Sequence, residues 1–306
     1  MNKFLRFFPL CLAILLFYPA PVLSEKITID SESQYEYAKE QMSVGKYWLA
    51  VTEFERFINF FPSHQKIPSA RYLIGMCYLE GKKFEEARKG LLEVIRKHPG
   101  TPSARKALFL MGESYYRQGV WEEAERWFNR AVEDSPSPEL KNAALYRLAW
   151  CRMQQNNWQE ASTLFNRVGR ESYLYPKAED LAEKSLDGAN LPSKSPTQAG
   201  VMALLPGLGH VYCDRPKDGL IAFLLNGVFI WATIEAFDND NNVLGGTLAF
   251  LSLGFYTGNI YSAVNAAHKS NRKVRDDFRN NLQDRINLEL FTSKETPLGL
   301  ALKYHF

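Results

Sequence analysis

The sequence predicts an all-α fold: a solenoid of stacked helical pairs, then a helical hairpin long enough to cross a membrane, with a short β-hairpin at the C-terminus. Two observations carry most of this. Ala50, Ala87, Ala124 and Ala161 stand 37 residues apart, and each follows an aromatic residue by three positions: Tyr47, Phe84, Trp121 and Trp158. Self-similarity at a fixed period of this length marks helical pairs that stack to share one core. Downstream, residues 219–237 hold a single acid and residues 243–264 hold no charge. Each of these stretches can span a hydrocarbon core of about 30 Å.

Residues 1–24 come first in the chain. They carry Lys3 and Arg6, an apolar run over 10–17, then Pro19, Pro21 and the small Ser24. A basic, apolar, small-residue order reads as a secretory signal, with an uncleaved membrane anchor as the alternative. Either way the repeats are expected outside the cytoplasm. Cys11 follows Phe8, Pro9 and Leu10, which is not a lipoprotein context. Removal of this segment takes the formal charge from +3 to about +1, which argues against a nucleic-acid partner.

Residues 31–182 hold four units. Four positions after the alanines come Phe54, Leu91, Phe128 and Phe165; seven after come Phe57, Val94, Ala131 and Val168; twelve after come Pro62, Pro99 and Pro136. Spacings of three, four and seven belong to one helix face, and the proline stops that helix. Upstream, Ala38, Gly75, Gly112 and Ala149 keep the same phase on a first helix, so a small residue on each partner lets the two backbones approach. With Tyr78 and Tyr115 also in register, this sequence resembles the tetratricopeptide repeat family, and the wording PSAR at 68–71 and 102–105 is similar to envelope repeats of the Tol-Pal and outer-membrane-assembly type. The fourth unit departs most, with Arg152 and Ser172 where the tyrosine and proline belong, as a terminal repeat can. Cys77 and Cys151 occupy one repeat position two units apart, too distant to bridge, and with Cys213 read as packed free thiols.

Residues 183–197 turn to Ser, Pro, Lys, Asp and Gly and read as a linker. The membrane domain, 198–268, opens on Pro206, Gly207, Gly209 and Tyr212, then Arg215, Lys217 and Gly219 at the start of the first span. These residues resemble the Pro-Gly-x-Gly motif of small two-transmembrane-helix domains, which implies an integral membrane module and lipid as a partner. The hairpin tip carries Asp238 and Asp240, whereas Lys269, Arg272, Lys273, Arg275 and Arg279 follow the second span. The positive-inside rule then places both flanks in the cytoplasm. Secreted repeats would reach that arrangement only if residues 198–213 also crossed, so two crossings and three both stand at this point.

On the second span Gly254, Gly258, Ser262 and Ala266 form a ridge of small residues, suited to close packing in lipid. It serves either self-association or packing on the first span opposite Gly227, the second being favoured. Asn226 and Asn259 lie inside the spans and need partners there. Residues 269–306 comprise a charged helix and then alternating Leu300, Leu302, Tyr304 and Phe306, which read as strand.

The sequence shows no nucleophile motif, phosphate loop or metal-ligand spacing, so an enzyme and a cofactor are not expected. A surface is expected instead. Tyr72, Met76 and Leu79, then Phe109, Glu113 and Tyr116, then Tyr146, Trp150 and Met153 recur on the first helices. The resemblance implies that first helices line a concave groove, so these nine residues would capture a peptide or protein; the competing reading is packing between repeats. The expected function is a membrane-tethered scaffold in the bacterial inner membrane with periplasmic repeats. The alternative is a transport or secretion component in which His210 or Glu235 takes part.

Overall fold

The computed structural model describes residues 30–284, which are helical apart from turns and short connections, with no strand among them. The signal-like segment 1–24 and the C-terminal alternation at 300–306 lie outside the described residues. The chain falls into two compact units that divide between Lys83 and Phe84.

The first unit holds α1 (Ser31–Ser43), α2 (Tyr47–Phe60) and α3 (Ile67–Glu80). Asp30 starts α1 by accepting from the backbone N–H groups of Glu32 and Ser33 at 2.9 Å, satisfying donors that a helix start leaves orphaned. Its core gathers Tyr35, Ala38, Ala50, Phe54, Phe57, Ala70 and Cys77. Ala38 and Ala50 are fully buried, which is the close approach the alanine period predicts.

The second unit begins with α4 (Phe84–Lys97), α5 (Pro102–Tyr116), α6 (Trp121–Asp134), α7 (Pro138–Gln154) and α8 (Trp158–Phe165). Thr101 and Ser137 cap α5 and α7 through their hydroxyls, each followed by a proline at the first helical position, where its missing N–H costs nothing. Gly112 has no room for a side chain: a Cβ there would lie 2.5 Å from the Phe128 ring. The small residue thus seats the aromatic of the second helix directly on the backbone of the first.

One backbone device recurs through all four repeats. Gly45, Lys82, Gly119 and Asn156 adopt positive φ, from 58 to 77°, and they too stand 37 residues apart. Each ends a first helix with a paired closure; in the fourth unit Asn156 N–H donates to Met153 O and Asn157 N–H to Arg152 O. This is the left-handed C-terminal motif that satisfies the last carbonyls of a helix.

Beyond α8 the array is closed by α9 (Tyr175–Asp187) and a short 3-10 turn over Gly188–Asn190. Helix therefore continues through 183–190, where a linker was expected, because Ala182 and Ser185 are buried against the fourth repeat and Ser162 donates to Ala182 O at 2.7 Å. The membrane-like part follows as α10 (Pro196–Met202), α11 (Leu208–Tyr212), α12 (Pro216–Asp238) and α13 (Asn242–Asp284). The second span and the charged helix after it, expected as separate elements meeting at 268/269, are one uninterrupted helix of 43 residues.

Candidate functional site

The aromatic row of the first helices points into the core. Tyr35 meets Phe54 and Phe57 with ring centroids 5.6 and 5.3 Å apart, Phe109 meets Phe128 at 5.4 Å, and Tyr146 meets Phe165 at 5.4 Å. These are the edge-on and tilted pairings by which aromatic quadrupoles pack. Tyr72, Met76 and Leu79 are buried on α3, and Phe109, Glu113, Tyr146, Trp150 and Met153 are buried on α5 and α7. Of the nine residues proposed to line a groove, only Tyr116 keeps partial exposure. In the first, third and fourth repeats the row therefore packs on the second helix of its own pair, which is neither a groove lining nor the packing between repeats that was the competing reading.

Around Tyr116 the second unit builds a different constellation. Glu113, fully buried on α5, is paired with Arg147 of α7 and lies 3.9 Å from Arg117. The Arg147 guanidinium sits 5.2 Å from the centre of the Tyr116 ring, and that ring packs edge-on against Trp121 at 5.2 Å. Burial raises the Tyr116 hydroxyl above the usual phenol range, an effect that Arg147 opposes. Tyr173, 54% exposed, lies within the field of Arg147. Sequence reasoning picked out Glu113 and Tyr116 but missed Arg147 and Tyr173, since neither shares the repeat phase of the aromatic row.

In the membrane-like part the glycines are placed by contact. Gly207 has φ of +91°, and a Cβ there would stand 2.2 Å from the carbonyl oxygen of Gly219. A Cβ on Gly209 would meet Ala199 O at 2.3 Å and Ala263 Cβ at 2.7 Å. Pro206 and Gly207 form the turn between α10 and α11, and Gly207, Gly209 and Gly219 let this turn pack on α12 and α13 with backbones nearly touching. Asn259 holds the turn from α13: its Nδ2 donates to Ala203 O at 2.8 Å and its Oδ1 accepts from Gly207 N–H at 3.3 Å. Tyr256 donates to Leu204 O at 2.8 Å, and His210 Nε2 pairs with Ser262 at 3.1 Å. Broken backbone at membrane depth needs such partners.

Tyr212 closes the other end, accepting from Ser195 N–H and donating to Gln198 Oε1, both at 2.9 Å. Asn271 of α13 exchanges two bonds with the backbone of Lys194, at 2.7 and 2.8 Å, and the Lys194 ammonium meets Asp214 at 2.9 Å. Residues 194, 214 and 271 therefore lie at one level. The stretch 195–213 leaves that level and returns to it.

The ridge on α13 divides. Ser262 and Ala266 face α10 and α11, but a Cβ on Gly254, Gly258 or Gly227 would meet nothing within 4 Å. The favoured expectation, that the ridge packs on the first span opposite Gly227, does not hold. α12 instead crosses the face carrying Gly245, Ser252 and Phe255, with Phe229 and Phe255 centroids 4.5 Å apart and Thr233 bonded to Ser252 at 3.2 Å. Glu235 is exposed near the tip and accepts from Asn239. It shares no contact with His210.

Past its apolar half α13 reaches the repeats. Phe278 packs edge-on against Trp158 at 5.6 Å, Leu282 joins the core of Trp150, Phe165 and Leu181, and Arg279 donates to Asn156 at 2.6 Å. The long helix thus adds to the cap that α9 forms on the fourth repeat.

Comparison with known families gives two matches. The model of the YfiO family, described as outer membrane lipoprotein, matches residues 27–133, and a tetratricopeptide repeat model matches 143–172. The fourth unit thus matches a tetratricopeptide repeat, and the array is a tetratricopeptide-like solenoid. Among solved structures, MamA from Desulfovibrio magneticus is 22% identical over 49% of this chain and 78% of that one, with a TM-score of 0.39. A tetratricopeptide repeat protein from Parabacteroides merdae is 15% identical over 83% and 98%, with a TM-score of 0.42. Curated proteins give no match. Arrays of this kind are protein-interaction scaffolds, and α12 and the first part of α13 are long and apolar enough to cross a membrane.

Proposed function

We propose that this chain is a membrane-tethered scaffold of the bacterial envelope, whose repeats hold a protein partner while α12 and α13 anchor them in the inner membrane. The observation that carries this reading is the continuity of α13, which runs from an apolar half into the core that closes the fourth repeat. Residues 198–268 would act as an integral module of the Pro-Gly-x-Gly type. The partner surface on the second unit is the one around Tyr116, Arg147 and Tyr173 rather than the buried aromatic row.

The same geometry supports two crossings over three. The repeats touch α13 beyond its apolar half, and 195–213 returns to its starting level, so repeats and basic tail share one side of the bilayer. With a secretory signal at 1–24 that side is the periplasm. The charge distribution favours the reverse orientation, since the flanks are basic and the tip acidic. Single cysteines at Glu133→Cys in the repeats and His268→Cys beside the tail, in a chain with Cys11→Ser, decide both questions, because the native thiols among the described residues are buried. Labelling of both by an impermeant reagent in spheroplasts supports the periplasmic two-crossing arrangement. Labelling of one alone sinks two crossings, and protection of both reverses the orientation. The open face at Gly254 and Gly258 is where a second copy would pack; Gly258→Ile should abolish any dimer crosslink without disturbing the hairpin.

A further inference from the structure

The charges around the hairpin are sorted by level. From 218 to 268 there is no Lys or Arg, and the tip carries Glu235, Asp238 and Asp240. At the opposite end, the level shared by Lys194, Asp214 and Asn271, Asp214 is engaged with Lys194 and Asp218 with Arg215 at 2.6 Å, while a turn farther out Asp276 pairs with Arg279 and Asp277 is exposed. Lys217, Lys269, Arg272 and Lys273 are exposed there and have no carboxylate partner among the described residues. Lys269, Arg272 and Lys273 stand at i, i+3 and i+4, so they share one face of α13. That face continues the open side of the helix at Gly258 and the exposed Tyr261.

We propose that this face binds the phosphate groups of anionic phospholipids in the leaflet on the repeats' side, with Lys217 contributing at the same level from α12. The proposal rests on the hairpin lying in a bilayer. Lys269 stands five residues past Val264, about 8 Å along the axis, and the three cations reach about 14 Å. The head-group layer extends about 5–8 Å beyond the hydrocarbon edge, so Lys269 stands at its outer limit, and Arg272 and Lys273 lie just outside it, within reach of phosphate through their long side chains. Lys and Arg stems run along apolar surface while their charged ends find phosphate, and Tyr261 is placed as an interfacial aromatic. A protein partner could also be acidic, but the height of these cations and their position over an open apolar face match lipid.

The test uses the full chain, reconstituted into nanodiscs of phosphatidylcholine with a minor share of phosphatidylglycerol, re-extracted in mild detergent, and analysed for retained lipid. Wild type should retain phosphatidylglycerol enriched at least about threefold over the disc composition, since basic residues at a membrane surface attract anionic lipid. Enrichment should fall when extraction is done in high salt. Lys269→Gln, Arg272→Gln and Lys273→Gln together should return the ratio to that of the disc, whereas Asp238→Asn with Asp240→Asn should leave it unchanged. Incorporation without enrichment, enrichment that survives the triple substitution, or retention of an acidic protein in place of lipid overturns the proposal. Failure to enter these nanodiscs overturns the membrane tether itself. Should the triple variant misfold, the salt response of wild type still decides.

Discussion

Lys82 is the one residue of the repeating left-handed position with neither the freedom of glycine nor the tolerance of asparagine. The left-handed conformation costs an ordinary residue about 1–2 kcal/mol, part of which glycine returns as backbone entropy. Lys82→Gly should therefore raise the stability of the first unit by roughly 0.5–1 kcal/mol in a denaturant titration. Glu113 presents the opposite case. Its buried pairing with Arg147 contributes little net stability relative to an apolar pair, but removal of one partner strands the other charge. Glu113→Ala should cost about 3–5 kcal/mol by thermal or chemical unfolding, and Arg147→Met in the same chain should restore much of it. The thiols offer a check by pH. Burial pushes Cys77 up to about 12, with Glu80 adding to the effect, and burial also raises Cys151. Because the thiolate is the reactive form, neither should react with a disulfide reagent at pH 8 until the protein is unfolded. Rapid native labelling would contradict the packing described.

Among the elements, the repeats were largely legible because a core position and its neighbours recur together, and Pro62, Pro99 and Pro136 fall just past the ends of α2, α4 and α6. What the period does not encode is direction. A residue packed on its own second helix and one lining a groove recur equally, and only the contact of Tyr146 with Phe165 separates them. The glycines of the Pro-Gly-x-Gly stretch were visible as a motif, but their neighbours were not, since Gly219, Ala199 and Ala263 approach from three other helices. Gly207→Ala meets both the positive φ and the Gly219 carbonyl, so it should loosen the turn from α12. Limited proteolysis between α11 and α12 should accelerate in that variant, and an unchanged pattern would count against the close approach. The ridge failed as a guide for a related reason. Small residues permit approach from any side, and α12 took the neighbouring face.

For the whole molecule, the unexpected feature is that span, charged helix and cap are one element. Span and charged helix, expected as two pieces, merge because residues 265–284 continue the helical phase, and the cap arises because the apolar residues Phe278 and Leu282 meet Trp158 and the fourth-repeat core. Truncation after His268 would leave both apolar stretches intact yet expose that core. Such a chain should show increased binding of a hydrophobic dye and a lower melting temperature for the repeats. Equal melting would mean that α13 adds nothing to the cap. A helix of 43 residues extends about 64 Å, and long spans answer a change in bilayer thickness by tilting. Here tilt has nowhere to dissipate, because the same rod is wedged into the last repeat at its far end. If α12 and α13 anchor the chain as proposed, any leaning of that anchor in a thinner or thicker bilayer would become a leaning of the surface around Tyr116 and Arg147, and the angle at which a partner is met would follow the thickness of the membrane below it.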